Sequence, residues 1–171
     1  MTVEIRPARP EEWDEAGRVT AEAYREFAGP GDSNGWSDYL AHIADVAGRA
    51  ERTLVLVAVE GGRVLGSVTL ELDRRVEEGA EHQEGDRLPP HQAHVRMLGV
   101  DPSVRRRGIG QALMEECIRV ARRHGKTLMT LHTTPRMEAA QRMYGDMGFV
   151  RGPDWPVSED FSLLSYFLEL G

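Results

Sequence analysis

The chain is short of several things. It has one cysteine, Cys117, so no internal disulfide can form. It has one lysine, Lys126, against 20 arginines. That skew runs through the whole chain, so a cluster of arginines says less about function than it would elsewhere. No apolar run approaches the ~20 residues of a membrane span. The opening MTVEIRPARPEEW carries charges where an export signal needs its apolar stretch. No export and a cytoplasmic location are therefore the expectation. No internal repeat or domain linker interrupts the chain.

What is present fits one soluble α/β domain spanning residues 1–171, with a core of ordinary size. Hydrophobic residues make up 40% and charged residues 29%. The net charge of −7 argues against nucleic-acid binding and is mildly compatible with a cationic amine, but a solvated acidic surface is the better explanation.

Residues 2–6 alternate as a strand. Pro10 suits an early helical position, and Trp13, Ala16, Thr20, Tyr24 and Phe27 recur at helical spacing before Gly29-Pro30-Gly31 breaks the pattern. A second helix is expected over 36–49, with Tyr39, Leu40, Ile43 and Ala47 on its apolar face. Residues 53–59 and 64–72 read as antiparallel strands joined by a tight turn at Gly61-Gly62. Residues 73–91, acidic and without apolar period, read as a mobile loop. A third helix starts near Gly108, with Ile109, Leu113, Cys117, Val120 and Ala121 on one face. A strand at 127–132 follows. Thr134 and Pro135 then offer a cap and first turn to a fourth helix, whose stripe is Met137, Ala140, Tyr144 and Met147. Residues 149–151 and 162–170 close the sheet, separated by a Pro-rich loop bearing Trp155.

The most informative stretch is HVRMLGVDPSVRRRGIGQA, residues 94–112. A strand, a turn at Asp101-Pro102, and Arg105-Arg106-Arg107-Gly108-Ile109-Gly110 opening a helix together build an anion cradle. Loop amides and the first N–H groups of the helix converge there. Glycine permits φ > 0 and a close backbone approach. A second marked segment, AAQRMYGDMGF, follows at 139–149.

Taken in order, Arg105, Gly108 and Gly110, then Tyr144, Gly148 and Phe149, resemble the signature of the GNAT superfamily of acyl-CoA-dependent N-acyltransferases. The resemblance covers residues 53–150. It implies an α/β fold with a mixed, mostly antiparallel sheet of six to seven strands and about four helices. It also implies acetyl-CoA as co-substrate and transfer to a primary amine by direct attack. The amine would belong to a small molecule or peptide, and the family allows a homodimer. On this likeness Leu98, Gly99 and Val100 lie along the pantetheine arm. The amides of Arg105, Arg106, Arg107, Gly108, Ile109 and Gly110 hold the pyrophosphate. Tyr144 protonates the departing thiolate. His94 stands where some members carry a basic glutamate, with Glu71 and ordered water as the other candidates for base. The first two helices would shape the acceptor site.

Each of these residues has a plainer reading. Tyr144 falls on the apolar stripe of its helix and could pack as core. His94 could be a polar residue at a strand start. Met137 stands where the family often has asparagine, which leaves room for an alternative class: a CoA-binding regulatory or partner-binding module without catalysis. His91 and His94, an odd number apart on a strand, point to opposite faces, so no metal site is expected. Cys117 reads as an inert core thiol.

Overall fold

The computed structural model describes residues 2–27, 34–73, 88–158 and 161–171. Gly29-Pro30-Gly31 and most of the expected loop, residues 74–87, lie outside them. Eight strands form one sheet: β1 (Glu4–Pro7), β2 (Leu54–Glu60), β3 (Arg63–Glu71), β4 (Gln92–Val100), β5 (Leu128–Thr133), β6 (Val150–Arg151), β7 (Trp155–Ser158) and β8 (Phe161–Glu169). Their order is β1-β2-β3-β4-β5-β8-β6, with β7 pairing β8 off this path. Every pairing is antiparallel except β4 with β5.

Among the described residues five α-helices accompany the sheet: α1 (Trp13–Arg25), α2 (Asn34–Ala44), α3 (Val46–Ala50), α4 (Ile109–Arg123) and α5 (Glu138–Asp146). The main core lies between the sheet and α4. It includes Leu65, Leu70, Val95, Leu113, Met114, Cys117, Met129 and Leu131, all at most 2% exposed. The expected face of the third helix is buried as read, and Met114 joins it. Burial pushes the Cys117 thiol well above its ordinary value, which keeps it protonated and inert. No helix among the described residues is long and apolar enough to cross a membrane, and no group of side chains there could hold a metal ion.

Three expectations need correction. The helix expected over 36–49 is two helices, because Asp45 leaves helical geometry and its carboxylate accepts the Gly48 N–H at 3.0 Å, capping α3. The buried face of α3 is accordingly Val46 and Arg49, and Ala47 is exposed. Thr134 does not cap α5. The helix starts four residues later, with Met137 at its N-cap and no side-chain cap, while the Met137 N–H bonds the Thr134 carbonyl in a preceding turn. The Trp155 segment is no loop but an edge strand, which tolerates Pro156 because an edge need not donate from every residue.

Arg49 is the least expected core residue. It is 2% exposed, and its guanidinium donates to the carbonyls of His42, Ile43 and Asp45 and to Thr69 Oγ1, at 2.8 to 3.1 Å. One buried cation thus ties the ends of α2 and α3 to β3. Burial, with Arg96 nearby, pulls its pKa down to about 10, which still leaves it charged at neutral pH. Truncation would leave three carbonyls facing a void. Arg49→Ala should lower unfolding free energy by about 3 kcal/mol in urea titration; a loss below about 1 kcal/mol would mean that these bonds are not structural.

Candidate active site

The site begins where β4 loses one neighbour. β4 and β5 pair only from Gln92 to Val95 and from Leu128 to Leu131. β5 continues along β8 as far as Thr133, and β4 continues along β3 as far as Val100. Between the Ser67–Gly99 and Thr69–Arg96 pairs the register slips, so that Val68 faces both Met97 and Leu98. Met97 takes φ 54°, rare for a residue with a Cβ. Such a bulge bends its strand and re-aims the residues beyond it.

Past the bulge one hydrogen bond fixes the backbone orientation. The Asp101 N–H bonds Leu65 O on β3 at 2.8 Å. N–H and C=O groups alternate sides along a strand, so Gly99 also turns toward β3 while Leu98 and Val100 turn to the edge that β5 has left. The sequence-based placement of Leu98, Gly99 and Val100 therefore divides. Leu98 and Val100 offer backbone groups, and Gly99 offers the absence of a side chain. A Cβ on Gly99 would lie 3.0 Å from Thr20 Cα and 3.2 Å from Ala23 Cβ, so only glycine lets α1 lie this close to β4.

The β4 edge forms one wall of a groove of about 690 Å³, lined further by the loop before α4, the first turn of α4, the end of α1 and α5. In that loop Arg106 has φ 66° and Gly108 φ 76°, and Gly108 is the N-cap of α4. These left-handed residues turn successive amides inward next to the unbonded N–H groups of the first helical turn. Arg105 pairs with Glu26, which lines the same groove, and Arg107 pairs with Glu60 at 2.7 Å. Arg105, Arg106, Gly108, Ile109 and Gly110 all line the groove, and Arg107 does not. Arg136 and Arg142 add positive charge to the opposite wall.

A second, smaller cavity of about 40 Å³ lies on the other side of the bulge. Its walls include His94, Arg96 and Met97 of β4, His132 of β5, and Tyr39 of α2. His94 Nδ1 is 2.7 Å from Thr130 Oγ1, which also accepts from Gln92 Nε2 at 2.7 Å. In the tautomer with Nδ1–H donating to Thr130, Nε2 is the acceptor that a general base requires. The rings of His94 and His132 meet at 5.1 Å, and His132 meets Trp155 at 5.3 Å. Glu71 stands behind this wall, fully buried, with Oε1 3.7 Å from Arg96 Nε. Of the candidate bases, His94 faces the cavity and Glu71 does not.

Tyr144 is 5% exposed and lies in the main core, with its ring against Phe149 at 5.7 Å and Tyr166 at 5.8 Å. It is not among the residues lining either cavity, whereas its neighbours Ala140 and Met143 line the groove. Burial raises the phenol's pKa, so it stays protonated at any working pH. Sequence reading did not single out Arg49, Arg96, Thr130 or His132. A polar residue on an apolar-period element is the one signal that could have flagged Arg49.

The match to known proteins agrees with this geometry. Residues 13–149 match the family model described as Acetyltransferase (GNAT) family. The chain belongs to the GNAT family. Its fold is shared by yncA of Salmonella typhimurium, a putative acetyltransferase solved with acetyl-CoA, at 23% identity and TM-score 0.66, covering 100% of this chain and 95% of that one. It is shared by the paia N-acetyltransferase of Thermoplasma acidophilum, solved with coenzyme A, at 16% identity and TM-score 0.75, covering 99% of both chains. It is shared too by the ribosomal-protein-S18-alanine N-acetyltransferase of Escherichia coli, at 18% identity and TM-score 0.69, covering 99% of this chain and 94% of that one. No curated protein matches the sequence.

The tight seating of α1 on this GNAT strand can be tested. Gly99→Ala should force α1 outward and cost about 2 kcal/mol, as overpacking does. For a domain of this size that is a fall of about 4–8 °C in melting temperature. An unchanged melting curve would show that α1 has slack over β4.

Proposed function

We propose that the protein transfers an acetyl group from acetyl-CoA to a primary amine by direct attack, without an acyl-enzyme. The observation that carries this reading is the parted β4 edge. It turns the Leu98 and Val100 backbone groups into a groove that ends in an amide cradle on one side and meets a second cavity on the other. The groove's shape suits a long donor with an anionic end. Gly108 is consistent with that fit, because a Cβ there would meet no protein atom and project into open space. When bound, acetyl-CoA supplies an activated acyl group on a thiol.

The chain's own residues do the rest. Amides from Arg105 to Gly110 hold the pyrophosphate, helped by the positive end of α4. Leu98 N–H donates to the thioester carbonyl oxygen, where negative charge develops as the amine attacks. His94 Nε2, directly or through water, takes a proton from the attacking nitrogen. A phenol returns a proton to the departing sulfur. That phenol is Tyr144, which the sequence motif offers for the step and which packs in the core beside the groove. The acceptor would enter by the His94 cavity, between α1, α2 and the Trp155 strand.

A panel of primary amines assayed for CoA release should show turnover with at least one member, with product mass increased by one acetyl group. Gly108→Trp, which sets an indole into the cradle, should weaken acetyl-CoA by at least about tenfold in calorimetry; wild-type affinity would defeat this placement. Acetyl-CoA binding without release from any amine would support the silent CoA-binding module instead.

A further inference from the structure

The two faces of the sheet differ in kind where β4 and β5 part. Val68 and Leu70 of β3, Ala93 and Val95 of β4, and Met129 and Leu131 of β5 pack into the main core with α4. Side chains alternate along a strand, so their neighbours Thr69, Glu71, His94, Arg96, Thr130 and His132 stand on the other face, and all six are polar. Contacts join them there: His94 to Thr130 and His132, Arg96 to Glu71, and Thr69 to Arg49 of α3. Alternation would send Met97 back to the α4 side, but the bulge keeps it with Ala21 and Ile43, where it ends the small cavity next to the groove. The charge on this face is not balanced. Arg49 and Arg96 are both buried, and among the described residues Glu71 is the one buried carboxylate. Asp45 also acts on Arg49, but it is exposed and water screens it. The two guanidinium groups feel each other, since Arg96 helps to pull the Arg49 pKa down. Among the described residues no Asp or Glu lines the small cavity, while Arg96, His94 and His132 do. This local sign is opposite to the chain's net charge of −7.

We infer that the acceptor is a free amino acid, an amine with a carboxylate a few bonds away, and that Arg96 is the residue that holds this carboxylate. The inference rests on the acetyl-transfer reading above. His94 and Arg96 are two residues apart on one face of β4, a backbone spacing of ~6.6 Å. A molecule with an amine at one end and a carboxylate at the other can meet both side chains at once. Its amine then lies at His94, and its carboxylate brings the negative charge that the wall lacks. A guanidinium meets a carboxylate through two parallel hydrogen bonds, which sets the direction of the amine as well as its place. The same cation favours the attacking form of the nitrogen: a positive neighbour disfavours an ammonium, so the acceptor passes its extra proton to His94 more readily and reaches the thioester with a free lone pair. An acceptor that carries only positive charge, such as a polyamine, meets Arg96 as a like charge and is turned away. A peptide N-terminus has a neutral amide where the carboxylate should be and loses the ion pair.

Glycine, alanine, methionine, phenylalanine and histidine, each beside its carboxamide and its decarboxylated amine, separate this acceptor class from the others, with spermidine standing for polyamines. At least one amino acid should be acetylated with kcat/KM at least about tenfold above its amide and its amine, the worth of one charge-assisted hydrogen-bonded pair. Amides or amines that match or beat the acids throughout, or spermidine ahead of every amino acid, would overturn the assignment. Arg96→Gln should raise KM for the preferred acid at least about tenfold and bring it level with the amide, while kcat moves far less. Arg96→Lys, which keeps the charge without the fork, should recover part of that loss. An equal fall in kcat for acid and amide would mark Arg96 as merely structural. A binding comparison needs neither turnover nor a variant that folds. With CoA present, the N-acetyl derivative of each amino acid should bind the wild type in calorimetry at least about tenfold more tightly than its carboxamide; equal affinities, or no binding of either, would defeat the placement. A wild type that binds these acids and acetylates none of the free amino acids would sink the proposed function and leave the carboxylate site standing. Turnover of amines without regard to the carboxylate would do the reverse.

Discussion

β4 keeps two neighbours for only half its length, and almost everything functional in the molecule depends on that. A buried parallel strand normally spends every backbone group on its ladder. Here the pairing with β5 stops at Val95, the bulge at Met97 turns the strand, and two residues further along present their amide groups to a groove. The strand is thus structural before the bulge and recognising after it. A positive φ at a residue with a Cβ is tolerated because the fold fixes it from both sides: β3 holds the register beyond, and α1 packs over Gly99.

The smaller cavity is held by a different means. Its rear wall is polar, with Arg49, Thr69, Glu71, Arg96 and His94 buried on the strands and α3. Isolated charges in such a place would be expensive, and these are not isolated: Arg49 is satisfied by three carbonyls and a hydroxyl, and Arg96 faces Glu71. A polar wall locked by hydrogen bonds holds side chains in fixed directions better than an apolar one does. That rigidity suits a cavity whose imidazole must face an incoming nitrogen.

Much of this was legible in the residues. The glycine loop, the strand before it and the helix after it could be placed because periodicity, glycine and a long apolar run are local signals. The two-helix break at Asp45 was missed, because an Asp inside an otherwise helical stretch does not announce whether its carboxylate will cap. The Trp155 strand was missed because two prolines mask a strand whose partner lies beyond it in sequence.

Lys126 gives this architecture a last consequence. Its ammonium donates to the carbonyls of Leu72 and Pro90, at 2.6 and 2.9 Å, and the residue is 8% exposed. It is the sole ε-amine in the chain. A protein that holds a reactive thioester exposes its own surface to stray acylation, and here that surface is built from arginine, whose guanidinium is always protonated and is no nucleophile. The one lysine that could react is hydrogen-bonded and buried. The molecule is in this sense chemically deaf to the reagent that it is proposed to carry.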